Sequence, residues 1–280
     1  VDIDPASISR NIEVKIPIVA DAKNAILALL DKALPLEIAD WKNQINSWKQ
    51  HYPLKIGQSE TGVTPLAIIN EINNIFDDVV ITTDVGQNQL WATQFLELTE
   101  SKQMLTSGGL GTMGYGFPAA IGAKLGNPDR DVITICGDGG IQMNIQEMAT
   151  AMVYELPIII CIINNGYLGN VRQWQEMFFQ KRYSSTCMRY RKSCSITCNT
   201  PSECCPEYIP DFISLAKSYG ARGIRVQKKE EIRTALLEAK KDRKVPIVIE
   251  FIIPREENVL PIVPPGNSLR DMMMGGEKAK

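Results

Sequence analysis

From Val63 onward, apolar residues recur at two periods that take turns along the chain. Helical spacing covers 65–76, 87–98, 144–155, 168–179, 210–219 and 229–240. Between these segments lie short runs rich in β-branched residues, at 79–83, 131–136, 156–163, 223–226 and 247–253. Strands alternating with helices predict an α/β fold: a doubly wound parallel sheet with helices on both faces. Within 144–155, Ile145, Met148, Ala149 and Met152 share one face, with Asn144 as candidate cap. Residues 102–107 make a poor strand. Ahead of the alternation, 1–34 carries two short strand-like pieces around Pro17. A helix then starts near Asp21, with Ala25, Ile26, Leu29 and Leu30 along it. That is too little to bury a core alone, so the piece cannot form a domain by itself; taken on its own residues it reads as an extension folded onto the main domain. Ile38, Trp41, Ile45 and Trp48 then place an amphipathic linker helix at 37–52. The expected organisation is therefore 1–35, a linker at 36–62, a main domain at 63–263, and a mobile tail at 264–280.

Chemistry concentrates where two strand-like runs end. Gly137-Asp138-Gly139-Gly140 follows the run at 131–136, and Asn164-Asn165 follows the run at 156–163. Open α/β sheets bind ligands at the carboxyl ends of their strands. A carboxylate and an amide set side by side there are hard oxygen ligands suited to Mg²⁺, and the glycines let backbone N–H groups approach a phosphate. The residues thus predict a Mg²⁺–diphosphate site. Asp84-Val-Gly-Gln-Asn88 repeats the pattern after the run at 79–83. The bland reading makes Asp138 a turn former and Asn165 a helix cap; their paired placement favours ligands. Gly109-Leu-Gly-Thr-Met-Gly114 fits the dinucleotide pattern G-x-G-x-x-G, but the poor strand before it argues against that use. Arg172 reads as a solvated helix charge.

Composition removes other classes. A net charge of −2 over 280 residues, with 44% hydrophobic residues, gives no support for binding nucleic acid or anionic membrane. No apolar run reaches the roughly 20 residues of a membrane span and no leader opens the chain, so a soluble cytoplasmic protein is expected, or a plastid one in a eukaryote. The chain opens on Val1, which reads as processed or truncated. His51 is the single histidine, at the exposed end of the linker helix, which makes a Ser–His–Asp hydrolase improbable. Of seven cysteines, Cys136 and Cys161 sit in buried strands, whereas Cys187, Cys194, Cys198, Cys204 and Cys205 crowd a polar insertion at about 187–205. Their spacing lacks paired C-x2-C knuckles. A metal or iron–sulfur site, a disulfide-stapled or redox-sensitive loop, and reduced thiols all stay open.

The GDGG and NN elements resemble the thiamine-diphosphate motif. Three further stretches, 108–122, 141–148 and 167–175, narrow the resemblance to the catalytic large subunit of acetolactate (acetohydroxyacid) synthase, over nearly the whole chain apart from 189–205. The resemblance implies the thiamine-diphosphate-binding fold, with 1–35 as the end of an FAD-type middle domain. It implies carboligation of pyruvate with pyruvate or 2-ketobutyrate, with thiamine diphosphate and Mg²⁺ as cofactors and FAD mostly outside this chain. Asp138, Asn165 and the Tyr167 carbonyl would hold the metal. Gly86, Gln87, Asn88, Gly137, Gly139 and Gly140 would serve the diphosphate. Gly111 would contact the aminopyrimidine, with Met113 as the wedge that bends the cofactor. Asn170 and Trp174 would line the substrate pocket. Three residues depart from the family pattern: Asn88 replaces histidine, Gly140 a frequent serine, and Asn170 a methionine. The activating glutamate would come from a domain of a neighbouring subunit, so the chain alone is expected to bind cofactor weakly and be inactive. A homo-oligomer, a regulatory small subunit and 2-ketoacid substrates complete the implied partners. The alternatives are another thiamine-family 2-ketoacid carboligase or oxidase, and a non-catalytic cofactor-binding piece that needs a partner chain.

Overall fold

The computed structural model describes residues 1–52, 62–195, 198–199, 205–208, 210–264 and 266–274. Cys204, the end of the linker and the last residues of the tail lie outside the described residues. The chain divides into two compact units, Val1–Lys55 and Ile56–Lys280.

In the first unit, α1 (Ala22–Leu30) begins after Asp21, whose carboxylate accepts the N–H groups of Lys23 and Asn24. Among the described residues the strand-like pieces around Pro17 form no strand and meet only in an isolated bridge between Asp2 and Val19. Ile26, Leu29 and Leu30 stay exposed. In α2 (Ala39–His51), Trp41 and Trp48 pack edge to face with centroids 5.5 Å apart, and His51 is exposed.

The second unit alternates helix and strand as the sequence pattern demands. It runs α3 (Pro65–Ile75), β1 (Val79–Thr83), α4 (Gln87–Phe95), β2 (Lys102–Thr106), α5 (Gly116–Gly126) and β3 (Asp131–Gly137). It continues with α6 (Asp138–Ile141), α7 (Met148–Val153), β4 (Ile159–Asn164), α8 (Gly169–Phe178), α9 (Phe212–Ser218), β5 (Arg222–Val226), α10 (Glu231–Lys241) and β6 (Ile247–Ile252). The six strands form one parallel sheet in the order β2-β1-β3-β4-β6-β5. Successive strand residues point to opposite faces. Ile81, Ile133, Cys161 and Ile249 join the core under α3, α4 and α10. Val80, Val132, Ile160 and Val248 join the core under α5, α7 and α9. Each face is thus covered by helices, which is why the central strands read as continuous apolar runs.

Three expectations need correction. Residues 102–106 do form a strand. As an edge strand, β2 has one neighbour, and burial alternates along it, so polar residues on its outer face are tolerated. Its Thr106 hydroxyl pairs with that of Thr83 at 2.7 Å. The continuous helix expected at 144–155 is instead a 3₁₀ turn at Ile145–Glu147 running into the short α7, with the separate turn of α6 before it. Asn144 caps nothing with its side chain, because its Nδ2 donates to the Gly114 carbonyl at 2.9 Å. The tail is docked as far as Met273, which is buried and exchanges two backbone hydrogen bonds with Ile262 at 2.8 and 3.1 Å.

Candidate cofactor and cation site

The strand order reverses at β1 and β3: the chain leaves β1 for β2 on one side and returns to β3 on the other. Ligands in such sheets sit at that switch, beyond the carboxyl ends of the strands. A cleft of about 210 Å³ lies there. The turn after β1 contributes Gly86, Gln87 and Asn88, and the glycine loop before α5 contributes Gly111 and Met113. Gly137, Asp138, Gly139 and Gly140 come from the turn after β3, and Asn165, Tyr167 and Asn170 from the segment after β4. Four sequence segments separated by up to about eighty positions thus meet in one place.

Asp138 is buried. Its Oδ1 accepts the Gly139 N–H at 3.0 Å and its Oδ2 the Gly166 N–H at 2.9 Å. Burial pushes its carboxyl up to about 7, although the two backbone donors pull the other way. A buried carboxylate short of positive charge is what a cation relieves. Asn165 faces the same cleft. Its Nδ2 donates to Gln87 Oε1 at 3.1 Å and its Oδ1 accepts the Tyr167 N–H at 3.0 Å, so the amide orientation is fixed and one Oδ1 lone pair is left over. The Tyr167 carbonyl accepts no hydrogen bond among the described residues. Among the described residues, no three His, Cys, Asp or Glu side chains form a metal-binding group. A cation here would be held by one carboxylate with amide and carbonyl oxygens, a donor set that suits Mg²⁺.

The two asparagines of the NN pair divide. Asn164 turns away from the cleft, donating to Glu250 Oε1 at 2.8 Å, while Glu250 pairs with Arg225 at 2.7 Å. Gln87 is itself anchored, donating to Gln173 Oε1 at 2.8 Å and to the Glu257 carbonyl at 2.9 Å. Asn88 lines the cleft, but its Nδ2 donates to the carbonyls of Asp84 and Ile135 at 2.9 and 3.0 Å. Its amide donors tie β1 to β3, which leaves it only an acceptor to show an anion.

Asp84, to which the sequence pattern gave a place but no role, supports the site from behind. Fully buried, its carboxylate accepts the N–H groups of Val85, Gly114 and Gly116 at 2.9 to 3.1 Å. It fastens the glycine loop to β1, and it occupies amides that a dinucleotide phosphate would need. The signal was its mirror placement to Asp138. It also accounts for Gly140: a Cβ there would overlap Asp84 Oδ1. A Cβ on Gly139 would sit 2.7 Å from Leu168 Cδ2. These glycines make a cradle that side chains would fill.

On α8, Asn170 and Val171 line the cleft, whereas Trp174, one turn further, does not; it is 45% exposed. Arg172 is no solvated charge. It is fully buried, paired with Glu176 and donating to the Glu257 carbonyl at 3.1 Å and to Asn258, so it clamps α8 to the segment after β6. Cys136 and Cys161 are fully buried in β3 and β4; burial pushes the Cys161 thiol up to about 12. No helix among the described residues is long and apolar enough to cross a membrane.

Residues 84–251 match the family described as thiamine pyrophosphate enzyme, C-terminal TPP binding domain. The chain is also similar to proteins named acetolactate synthase large subunit. With that of Cyanidium caldarium it is 40% identical over 280 residues, 98% of this chain and 45% of the relative. With that of Porphyra purpurea it is 38% identical over 279 residues, 98% of this chain and 44% of the relative. With that of Corynebacterium glutamicum it is 39% identical over 278 residues, 97% and 42% respectively. The chain therefore spans less than half the length of these relatives.

Proposed function

The chain belongs to the thiamine pyrophosphate enzymes, and from that membership we propose that its cleft holds the diphosphate and Mg²⁺ end of thiamine diphosphate, as one half of an acetolactate synthase site. The observation that carries this reading is the buried Asp138 carboxylate, facing a cleft between glycine turns beside the Asn165 amide and the Tyr167 carbonyl. Those three would hold the cation, and Gly86, Gln87 and Gly137 to Gly140 would surround the diphosphate. Asn88 would act through the strand ends it ties together.

When bound, thiamine diphosphate supplies the electron sink that lets a 2-ketoacid lose carbon dioxide and pass its acyl unit on. The chain's own residues bind and orient. Gly111 would offer backbone to the aminopyrimidine, Met113 would keep the cofactor bent, and Ile163, Leu168 and Val171 would keep water away from the reacting atoms. Asn170, with Trp174 beside it once that face is covered, would shape the pocket for the second ketoacid. The proposed substrates are pyruvate with pyruvate or 2-ketobutyrate, giving 2-acetolactate or 2-aceto-2-hydroxybutyrate for branched-chain amino acids. Residues 1–35 would close an FAD-type domain, in keeping with the apolar residues that α1 leaves exposed. A homo-oligomer with a regulatory small subunit is the proposed assembly, in the cytoplasm or a plastid.

One observation favours a narrower reading. Asp138 is the single carboxylate among the described residues lining the cleft, whose ~210 Å³ falls below the roughly 300–1,000 Å³ of complete small-molecule sites. The chain would then be a cofactor-holding half that turns over only beside a partner. Calorimetric titration of thiamine diphosphate tests both readings, with Mg²⁺ and with EDTA, on the native chain and on Asp138→Ala. Mg²⁺-dependent binding that the variant lacks is expected; binding indifferent to both cation and variant would refute the site.

A further inference from the structure

A second cavity, of about 380 Å³, lies beyond α8, and its wall carries Cys187, Cys194, Cys198 and Cys205 together with Arg255. Arg255 donates from Nη1 to Cys205 Sγ at 3.1 Å and from Nη2 to Cys187 Sγ at 3.2 Å. Its Cζ stands 4.4 Å from the centre of the Tyr167 ring. One guanidinium thus holds two thiols and an aromatic side chain from the cofactor cleft at once. Among the described residues no three cysteines converge on a metal position, and two sulfurs sharing one guanidinium favour thiol chemistry.

The same loop is stitched to the segment that bears Tyr167. Leu168 N–H donates to the Thr186 carbonyl at 2.8 Å and Met188 N–H to the Gly166 carbonyl at 2.9 Å, a bridge centred on Tyr167 and Cys187. Gly166, at φ 69°, is packed from behind: a Cβ there would lie 3.1 Å from Arg189 Cδ and 3.5 Å from Arg255 Nε. Its N–H is one of the two donors that hold Asp138. A shift of Arg255 or of the Cys187 backbone therefore reaches Gly166, Tyr167 and Leu168 directly.

We propose that Cys187 and Cys205 form an oxidation site for a peroxide, and that their disulfide loosens the Gly166–Leu168 segment. The consequence for cofactor binding rests on the function proposed above. A cysteine anion attacks the O–O bond of hydrogen peroxide; the S–O bond forms as the O–O bond breaks, giving a sulfenic acid and hydroxide. The hydroxide takes up the proton released by that thiol and leaves as water. The second thiol then displaces the sulfenic hydroxyl, the S–S bond forms, and a second water leaves. Two thiols and one hydrogen peroxide become one disulfide and two waters. The guanidinium, a permanent cation, gives the reacting anion its counter-charge and holds both sulfurs on one side chain, at 3.1 and 3.2 Å. A disulfide is a poor acceptor, so once it forms Arg255 loses both sulfur partners and its fixed place behind Gly166.

The reduced full chain, treated with hydrogen peroxide, alkylated and digested, is expected to yield a Cys187–Cys205 disulfide peptide. Amide hydrogen exchange at 166–168 should become faster. Mg²⁺-dependent binding of thiamine diphosphate should weaken about ten- to a hundredfold, as when supports behind metal ligands are removed, and recover with dithiothreitol. Cys205→Ser should give none of these responses to peroxide. Absence of this linkage, or a linkage that leaves exchange at 166–168 unchanged, overturns the proposal. If the linkage and faster exchange appear in a chain that binds no cofactor when reduced, the thiol site stands and the functional reading fails.

Discussion

Asp138 shows how a functional residue is kept at the expense of stability. Its native carboxyl titrates at about 7, against about 3.9 for an unperturbed aspartate, so between these values the folded chain holds a proton that the unfolded chain has released. In the absence of cation, this group makes stability fall as pH rises through that window and level off above about 7. A cation must displace that proton below 7 and meets a bare carboxylate above it. The rise in melting temperature from Mg²⁺ plus thiamine diphosphate should accordingly be larger at pH 8 than at pH 6, and Asp138→Ala should abolish the rise at both. Equal rises at the two pH values would separate Asp138 from the cation. At Gly140 the conflict is steric. The obstructing atom is Oδ1 of Asp84, and the carboxylate it belongs to is locked by three backbone donors, so it cannot swing aside cheaply. Gly140→Ser should cost about 1–3 kcal/mol, several degrees of melting temperature for a unit of this size, measured by thermal unfolding. The sequence exposed Gly140 as a departure from pattern but not its cause, because the cause is a contact with a residue 56 positions earlier.

At the scale of elements, whatever buries both of its faces was legible. The runs at 79–83 and 247–253 read as strands because their buried apolar residues alternate between the two helix-covered cores, and no alternative period competes. The edge strand β2 escaped notice because its identity comes from backbone pairing with β1 rather than from its side chains. The broken helix after β3 escaped for another reason: Asn144 has a distant partner at Gly114, and local periodicity carries no trace of it. Arg172 belongs with these. A charge on a helix reads as solvated until the segment after β6 is laid over it, when it becomes the clamp that fixes α8 at the cleft wall. Arg172→Leu takes the guanidinium from Asn258 Oδ1 and from the Glu257 carbonyl, while Glu176 keeps its bond from Asn258 Nδ2 at 3.1 Å. The expected loss is about 1.5–3 kcal/mol in denaturant unfolding, with weaker cofactor binding because Gln87 shares the Glu257 carbonyl with Arg172. A loss of stability with unchanged binding would show that α8 does not hold the cleft in shape.

For the whole molecule, the surface around the cleft decides what one chain can do. Leu110 is 91% exposed and Met143 53%, while Met113 and Trp174 are also left open to water. Apolar surface of this extent at a site's rim marks a place where something else packs. The cleft wall among the described residues holds one carboxylate, and that carboxylate is engaged with the cation in the proposed site. A second acid, able to hydrogen-bond the aminopyrimidine and shift its protons, must then come from whatever covers this rim. Binding and turnover should therefore separate. Given pyruvate, thiamine diphosphate and Mg²⁺, the purified 280-residue chain is expected to bind cofactor and yet form no acetolactate above the rate of cofactor in buffer. Turnover that also vanished in Asp138→Ala would place the second acid within this chain and refute the half-site reading; binding without turnover would leave the covering partner as what has to be found.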